Sequence, residues 1–165
     1  MGFTGRRVVT GHTQDGQSTV LFDSILPLLG GEDEAGKESR QGATSRVFWT
    51  TEALPVDNNG TADAARQDVP TALADGSVLR IVQYAPGVMP RSHRTSSIDY
   101  VAILSGSIEV QLDTQTITLT TGDTLIQRGT IHNWINNGSE PCTILFAMVG
   151  AKPITADGKT LLAEG

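Results

Sequence analysis

The sequence predicts an all-β protein of the sandwich or barrel kind. Two observations carry that expectation. Short β-branched runs recur between turn signals, most densely over residues 77–150, and no long segment repeats apolar residues at i, i+3, i+4 and i+7. The 18 glycines among 165 residues fit a chain that turns often. A length of 165 residues suits one domain around one core.

The elements follow in order. RRVVT and STVLF read as two strands joined by the turn GHTQDGQ, with Gly11, Asp15 and Gly16 supplying turn geometry, so a hairpin opens the chain. Residues 30–45, GGEDEAGKESRQGATS, hold no large apolar side chain and predict a mobile surface loop. RVFWT at 46–50 resumes a strand. Residues 55–76 carry Pro, Asn, Gly and Asp and predict irregular chain with one short helical turn near TADAARQ. The runs SVLRIVQYA, YVAILSG, SIEVQLD, TITLTTGD, TLIQRG, HNWINN and PCTILFAMVG then succeed one another at the close spacing of a sandwich or barrel. In SIEVQLD, Ile108, Val110 and Leu112 alternate with Glu109, Gln111 and Asp113, which predicts one core face and one wet face. PCTILFAMVG is apolar on both faces, as for a strand sandwiched between sheets or covered by a partner subunit. The tail ITADGKTLLAEG is expected to cap the barrel or fray. The expected division is thus 1–76 for the N-terminal strands and loops, packed on the barrel and in a dimer interface, 77–150 for the barrel core and 151–165 for the tail.

Charge and composition exclude several classes. Lys plus Arg total 12 against 18 Asp plus Glu, a formal charge of −6, so the long-range field repels nucleic acid and anionic lipid. No apolar run approaches the ~18 residues of a membrane span, and residues 1–30 lack the pattern of a secretory signal. The one cysteine, Cys142, sits in an apolar run and reads as a small hydrophobe. A cytoplasmic protein without nucleic-acid or membrane partners is expected.

Two segments carry chemistry. In residues 87–106, Gly87, His93, Thr95, Asp99 and Gly106 stand at the spacing G-x5-H-x-H-x3,4-E-x6-G, with Thr95 in place of the second histidine and Asp99 in place of the glutamate. In residues 122–136, Gly122, Gly129, His132 and Asn136 match G-x5-P-x-G-x2-H-x3-N, with Gln127 in place of proline and one residue fewer before it. Both segments resemble the paired motifs of the cupin superfamily, and the wording RRVVTGH, HRT-x-S-x-DY and QRGT-x-H-x-W is similar to small single-domain cupins of bacteria and fungal secondary-metabolite clusters.

The resemblance implies a double-stranded β-helix, a jelly-roll barrel with an N-terminal strand extension. It further implies that His93, His132 and Asp99 hold one divalent transition metal, iron first, with zinc, manganese or nickel as alternatives, or that the barrel works with none. Two imidazoles and a carboxylate are the donor set of non-haem Fe(II) oxygenases. Asp99 either ligates or hydrogen-bonds a histidine and fixes its tautomer. Asp99 and His132 are the expected acid–base groups, and Arg91, Gln127 and Trp134 the expected substrate contacts: a guanidinium for a carboxylate or phenolate, an amide aimed into the cavity, an indole wall. Tyr100, next to Asp99, points to the opposite face in a regular strand, and His12 falls in a turn.

The functional expectation is an Fe(II)-type oxygenase or a Lewis-acid lyase or isomerase acting on an aromatic or polyketide-like small molecule. The alternatives are a metal-free acid–base catalyst (dehydratase, cyclase or epimerase) and a binding barrel without turnover. The apolar faces of RRVVT, STVLF and RVFWT predict a homodimer through the N-terminal strands. Light scattering at micromolar concentration should return twice the chain mass; a monomer mass refutes that arrangement.

Overall fold

A computed structural model of the chain describes residues 3–29 and 40–165. Its strands are β1 (Thr4–His12), β2 (Ser18–Pro27), β3 (Ala43–Thr51), β4 (Ser77–Tyr84), β5 (Ser97–Ser105), β6 (Ser107–Gln111), β7 (Thr116–Thr120), β8 (Thr124–Arg128), β9 (Asn133–Ile135), β10 (Cys142–Gly150), β11 (Ile154–Ala156) and β12 (Lys159–Leu161). No helix occurs among the described residues. An all-β sandwich results: one sheet runs β3-β4-β10-β5-β8, the facing one β7-β6-β9, and β1-β2 and β11-β12 form separate hairpins.

The alternation seen in the sequence sets the core. Ile108 and Val110 of β6 face Ile144, Phe146 and Met148 of β10 and Val101 and Ile103 of β5 across the sandwich, all buried. Trp134 of β9 closes the cluster, edge-on to Phe146 at 5.4 Å and stacked on Tyr84 at 6.3 Å. Of the apolar faces of β10, Cys142 to Met148 is buried inside, and Leu145, Ala147 and Val149 stay half-buried outside. The chain crosses between sheets at Gly106, whose φ of 82° and close approach to Pro141 leave no room for a Cβ.

The N-terminal hairpin is pinned by one cation. Arg7 forks onto both oxygens of Asp63 at 2.7 and 2.6 Å and reaches Ser24 Oγ and Phe48 O, while Gly5 packs on the Phe48 ring. That ion pair corrects the expectation of a helical turn near TADAARQ. Asp63, Ala64 and Gln67 spend their polar groups on Arg7, Thr50 and Val47, so the segment follows the edge of the sheet as irregular chain. The predicted loop over 30–45 lies for residues 30–39 outside the described residues, and its last three positions, 43–45, already belong to β3. The tail caps rather than frays: Arg94 and Glu164 pair through both backbone hydrogen bonds, and Arg91 donates to Gly165 O.

Ile144 is fully buried at the centre of the sandwich. Denaturant titration should show Ile144→Ala losing about 3 kcal/mol and Ile144→Val about 1 kcal/mol. Tyr100→Ser, at a half-exposed outer position, should change stability by less than about 0.5 kcal/mol.

Candidate active site

Two loop segments, one before β5 and one before β9, are stitched by a single antiparallel bridge. His93 N–H donates to His132 O at 3.0 Å, and His132 N–H returns the bond to His93 O at 3.0 Å. Directly opposed residues of this kind send their side chains to the same side. The two imidazoles accordingly lie with centroids 4.2 Å apart and planes at 52°.

Each ring is oriented by the backbone two residues before it. His93 Nδ1 lies 3.1 Å from Arg91 O, and His132 Nδ1 lies 2.9 Å from Thr130 O. A carbonyl only accepts, so both nitrogens carry the proton and both Nε2 atoms present lone pairs. His132 Nε2 accepts from Gln127 Nε2 at 3.1 Å, whereas His93 Nε2 has no hydrogen-bond partner among the described residues. Burial, reinforced by the charges of Arg91 and Arg40, lowers both rings: His132 falls to about 4, and His93 moves in the same direction. Both are neutral at pH 7.

Alternation from His93 puts Thr95, Ser97 and Asp99 on the same inner face, and all are buried. They form a chain of polar groups. Thr95 Oγ1 lies 2.8 Å from Ser97 Oγ, Ser97 donates to Asp99 Oδ1 at 2.5 Å, and Gln127 Nε2 donates to Asp99 Oδ2 at 3.2 Å. Burial pushes the Asp99 carboxyl up, against the pull of these two donors and of Arg80. Thr95 and Ser97 were not among the expected site residues, although the period of two from His93 already marks them.

Two expectations need correction. Asp99 is not a third donor beside the imidazoles: Gln127 stands between it and His132, and no group of three His, Cys, Asp or Glu side chains that could hold a metal ion occurs among the described residues. As arranged, the donors fit a two-imidazole centre and not the expected facial set of His93, His132 and Asp99. Gln127 does not aim its amide at a substrate; both N–H bonds are spent on Asp99 and His132, and its Oε1 is buried without a partner. Asp99, expected as an acid–base group, lines the cavity and is tied to His132 through that amide.

Arg91 and Trp134 do line a cavity of about 220 Å³ with His93, His132 and Asp99. Trp134 stands edge-on to His132 at 5.9 Å. Tyr84, Phe146 and Met148 add apolar wall, and Arg40 and Arg80 add two cations that the motifs did not point to. Arg80 was legible, since alternation in SVLRIVQYA sets it with Val78 and Val82 on the inner face; Arg40 comes from outside both motifs. Tyr100, Arg128 and His12 are exposed.

A family model described as a cupin domain matches residues 80–148. The cupin-domain-containing oxidoreductase fogC of Aspergillus ruber is 33% identical over 162 residues, covering 94% of this chain and 77% of that protein. Phomopsin biosynthesis cluster protein C' of Diaporthe leptostromiformis is 34% identical over 172 residues, covering 96% and 85%. Among solved structures, the Cnp3 cupin domain of Schizosaccharomyces pombe superposes with a TM-score of 0.50 at 12% identity, over 88% of this chain and 87% of that one.

The lowered histidines couple the site to stability. As pH falls from 6.5 toward 4, the unfolded chain takes up the His132 proton and the folded one resists, so the fold loses about 3 kcal/mol across that window. His93 acts in the same sense, and the raised Asp99, which favours the folded state in acid, offsets part of it. Urea midpoints of chelator-treated protein should fall between pH 7 and 4.5, less steeply for His132→Gln; equal slopes would contradict the buried neutral ring.

Proposed function

The chain belongs to the cupin family, and on that premise we propose that it is a small-molecule oxidoreductase whose chemistry takes place beside the paired imidazoles of His93 and His132. The observation that supports this most is the His93 ring itself. It is neutral, 8% exposed, fixed by Arg91 O, and keeps Nε2 open beside the cavity. An imidazole so held takes a proton from a bound molecule without first losing one of its own. Trp134, Tyr84 and Phe146 exclude water and suit a planar, ring-bearing substrate. The relatives named as oxidoreductases or as products of biosynthesis clusters support the same class.

Oxidation needs an electron acceptor, and dioxygen would be that acceptor. A divalent transition metal, iron in the first place, would find its protein donors in the Nε2 atoms of His93 and His132, and would supply the activation of dioxygen when bound. His132 offers its lone pair to a metal only when Gln127 turns its amide aside. Trp134 packs against the His132 ring and Thr130 O holds its proton, so that ring stays aimed at its neighbour.

A second reading rests on a different observation, the bridge Asp99–Gln127–His132. It ties a buried carboxyl to an imidazole with no third ligand nearby, which suits proton transfer without a metal: His93 as base, with Asp99 setting the position and basicity of His132 through the amide. We also propose a homodimer through the β1-β2 hairpin, which leaves Val8, Val20 and Ile25 46%, 53% and 63% exposed.

Elemental analysis of protein purified without chelators separates the two readings. The metal reading expects about one transition metal per chain, lost in both His93→Ala and His132→Ala, with turnover falling at least ~10²-fold in each. Metal-free protein with full turnover transfers the function to the second reading, and in that case Gln127→Leu should shift the acid limb of the pH–rate profile.

A further inference from the structure

Seven of the nine arginines of this chain fall into two groups. Arg6, Arg7, Arg66 and Arg94 each pair with a carboxylate: Asp23, Asp63, Glu52 with Asp68, and Glu164. Arg40, Arg80 and Arg91 form no ion pair with any described residue; their guanidinium bonds go to backbone carbonyls, of Met89 and Trp134 for Arg40, Pro70 for Arg80 and Gly165 for Arg91. These three line the same cavity. Asp99 is the one carboxylate among the described lining residues, and it is turned to Ser97 and Gln127. A chain with a net charge of −6 thus sets around its imidazole pair three guanidiniums that form no ion pair with a described carboxylate.

Arg80 is the strongest member. It stands on the inner face of β4, paired across to Phe146 and Val47, its Nε buried with no partner and its Nη2 on Pro70 O at 3.1 Å. A guanidinium has five N–H donors in a planar fork, and leaving the buried Nε–H without an acceptor is costly. An anion of matching shape would satisfy it. Tyr84, Trp134 and Phe146 give part of the remaining wall an aromatic face, and the cavity of about 220 Å³ exceeds the ~150 Å³ void that accepts a benzene ring.

We propose that the cavity recognises a small ring-bearing carboxylate, its oxyanion held by Arg80 with Arg40 and Arg91 completing a positive wall, and its ring against Trp134 and Phe146. This names the substrate class of the site proposed above and rests on that site being where substrate binds.

The test is calorimetric and needs no turnover. Benzoate and salicylate are titrated into the protein, each against its neutral amide, benzamide and salicylamide. At least one carboxylate should bind about tenfold or more tightly than its amide, and Arg80→Gln should abolish that preference, leaving amide binding unchanged, while Arg128→Gln at the exposed surface keeps it. Arg40→Gln provides the same comparison if the Arg80 variant does not fold. Equal binding of acid and amide, absence of carboxylate binding at millimolar concentration, or a preference intact in both cavity variants overturns the proposal. A chain that turns over a neutral molecule yet ignores both acids loses the carboxylate subsite and keeps the enzyme; one that discriminates the acids and turns over nothing keeps the subsite and loses the enzyme.

Discussion

His93 and His132 exchange both backbone hydrogen bonds, and the site is built on that exchange. Each bond contributes only about 1 kcal/mol net, yet the geometric consequence is large. Two segments far apart in the chain become direct antiparallel neighbours, their rings are forced to one side, and the carbonyls of Arg91 and Thr130 arrive at the two Nδ1 atoms in the same relative position. Tautomer, orientation and proximity of the imidazoles all follow from one short ladder. Trp134, two residues further, is then carried to the same side, against His132 and above Phe146, so the bridge also joins the site to the core.

Desolvation decides the charge state of what the bridge assembles. Hydrogen bonds to carbonyls favour protonated rings, but burial opposes them and wins, leaving two neutral imidazoles. The same burial raises Asp99 despite two donors on its oxygens. Gln127 reconciles these groups. Its amide offers two N–H bonds to two acceptors, a carboxyl oxygen and a ring nitrogen, without introducing a charge. A proline, which the related motif carries at this position, has no such donors, so the departure from the pattern is what ties Asp99 to His132.

Electrostatics divides the molecule. Away from the cavity, acidic residues pair with arginines and dominate the field; along the cavity, the exposed Arg91 and the partly buried Arg40 and Arg80 stand about the neutral rings with one buried carboxyl. Buried donors left without a partner, as Arg80 Nε is, lower stability. Their cost is the kind that functional sites carry against the interest of the fold.

How much of this was legible in the amino-acid order depends on range. The all-β class, the N-terminal hairpin, the inner faces of β5, β6 and β10, and the meeting of His93 with His132 were readable, because alternation and turn chemistry act over a few residues and the motif spacing reports a shared scaffold. The relay through Gln127, the exclusion of Asp99 from the imidazole pair, and the irregular path of residues 61–67 were not. Each turns on which of several partners a polar side chain meets across the sandwich, and a single methylene of reach or one interposed amide changes the answer. Arg80 lies between these cases: its face could be read from the period of two, but the lack of a carboxylate partner among the described residues could not, since only the closed barrel shows which charges meet and which are left facing a cavity.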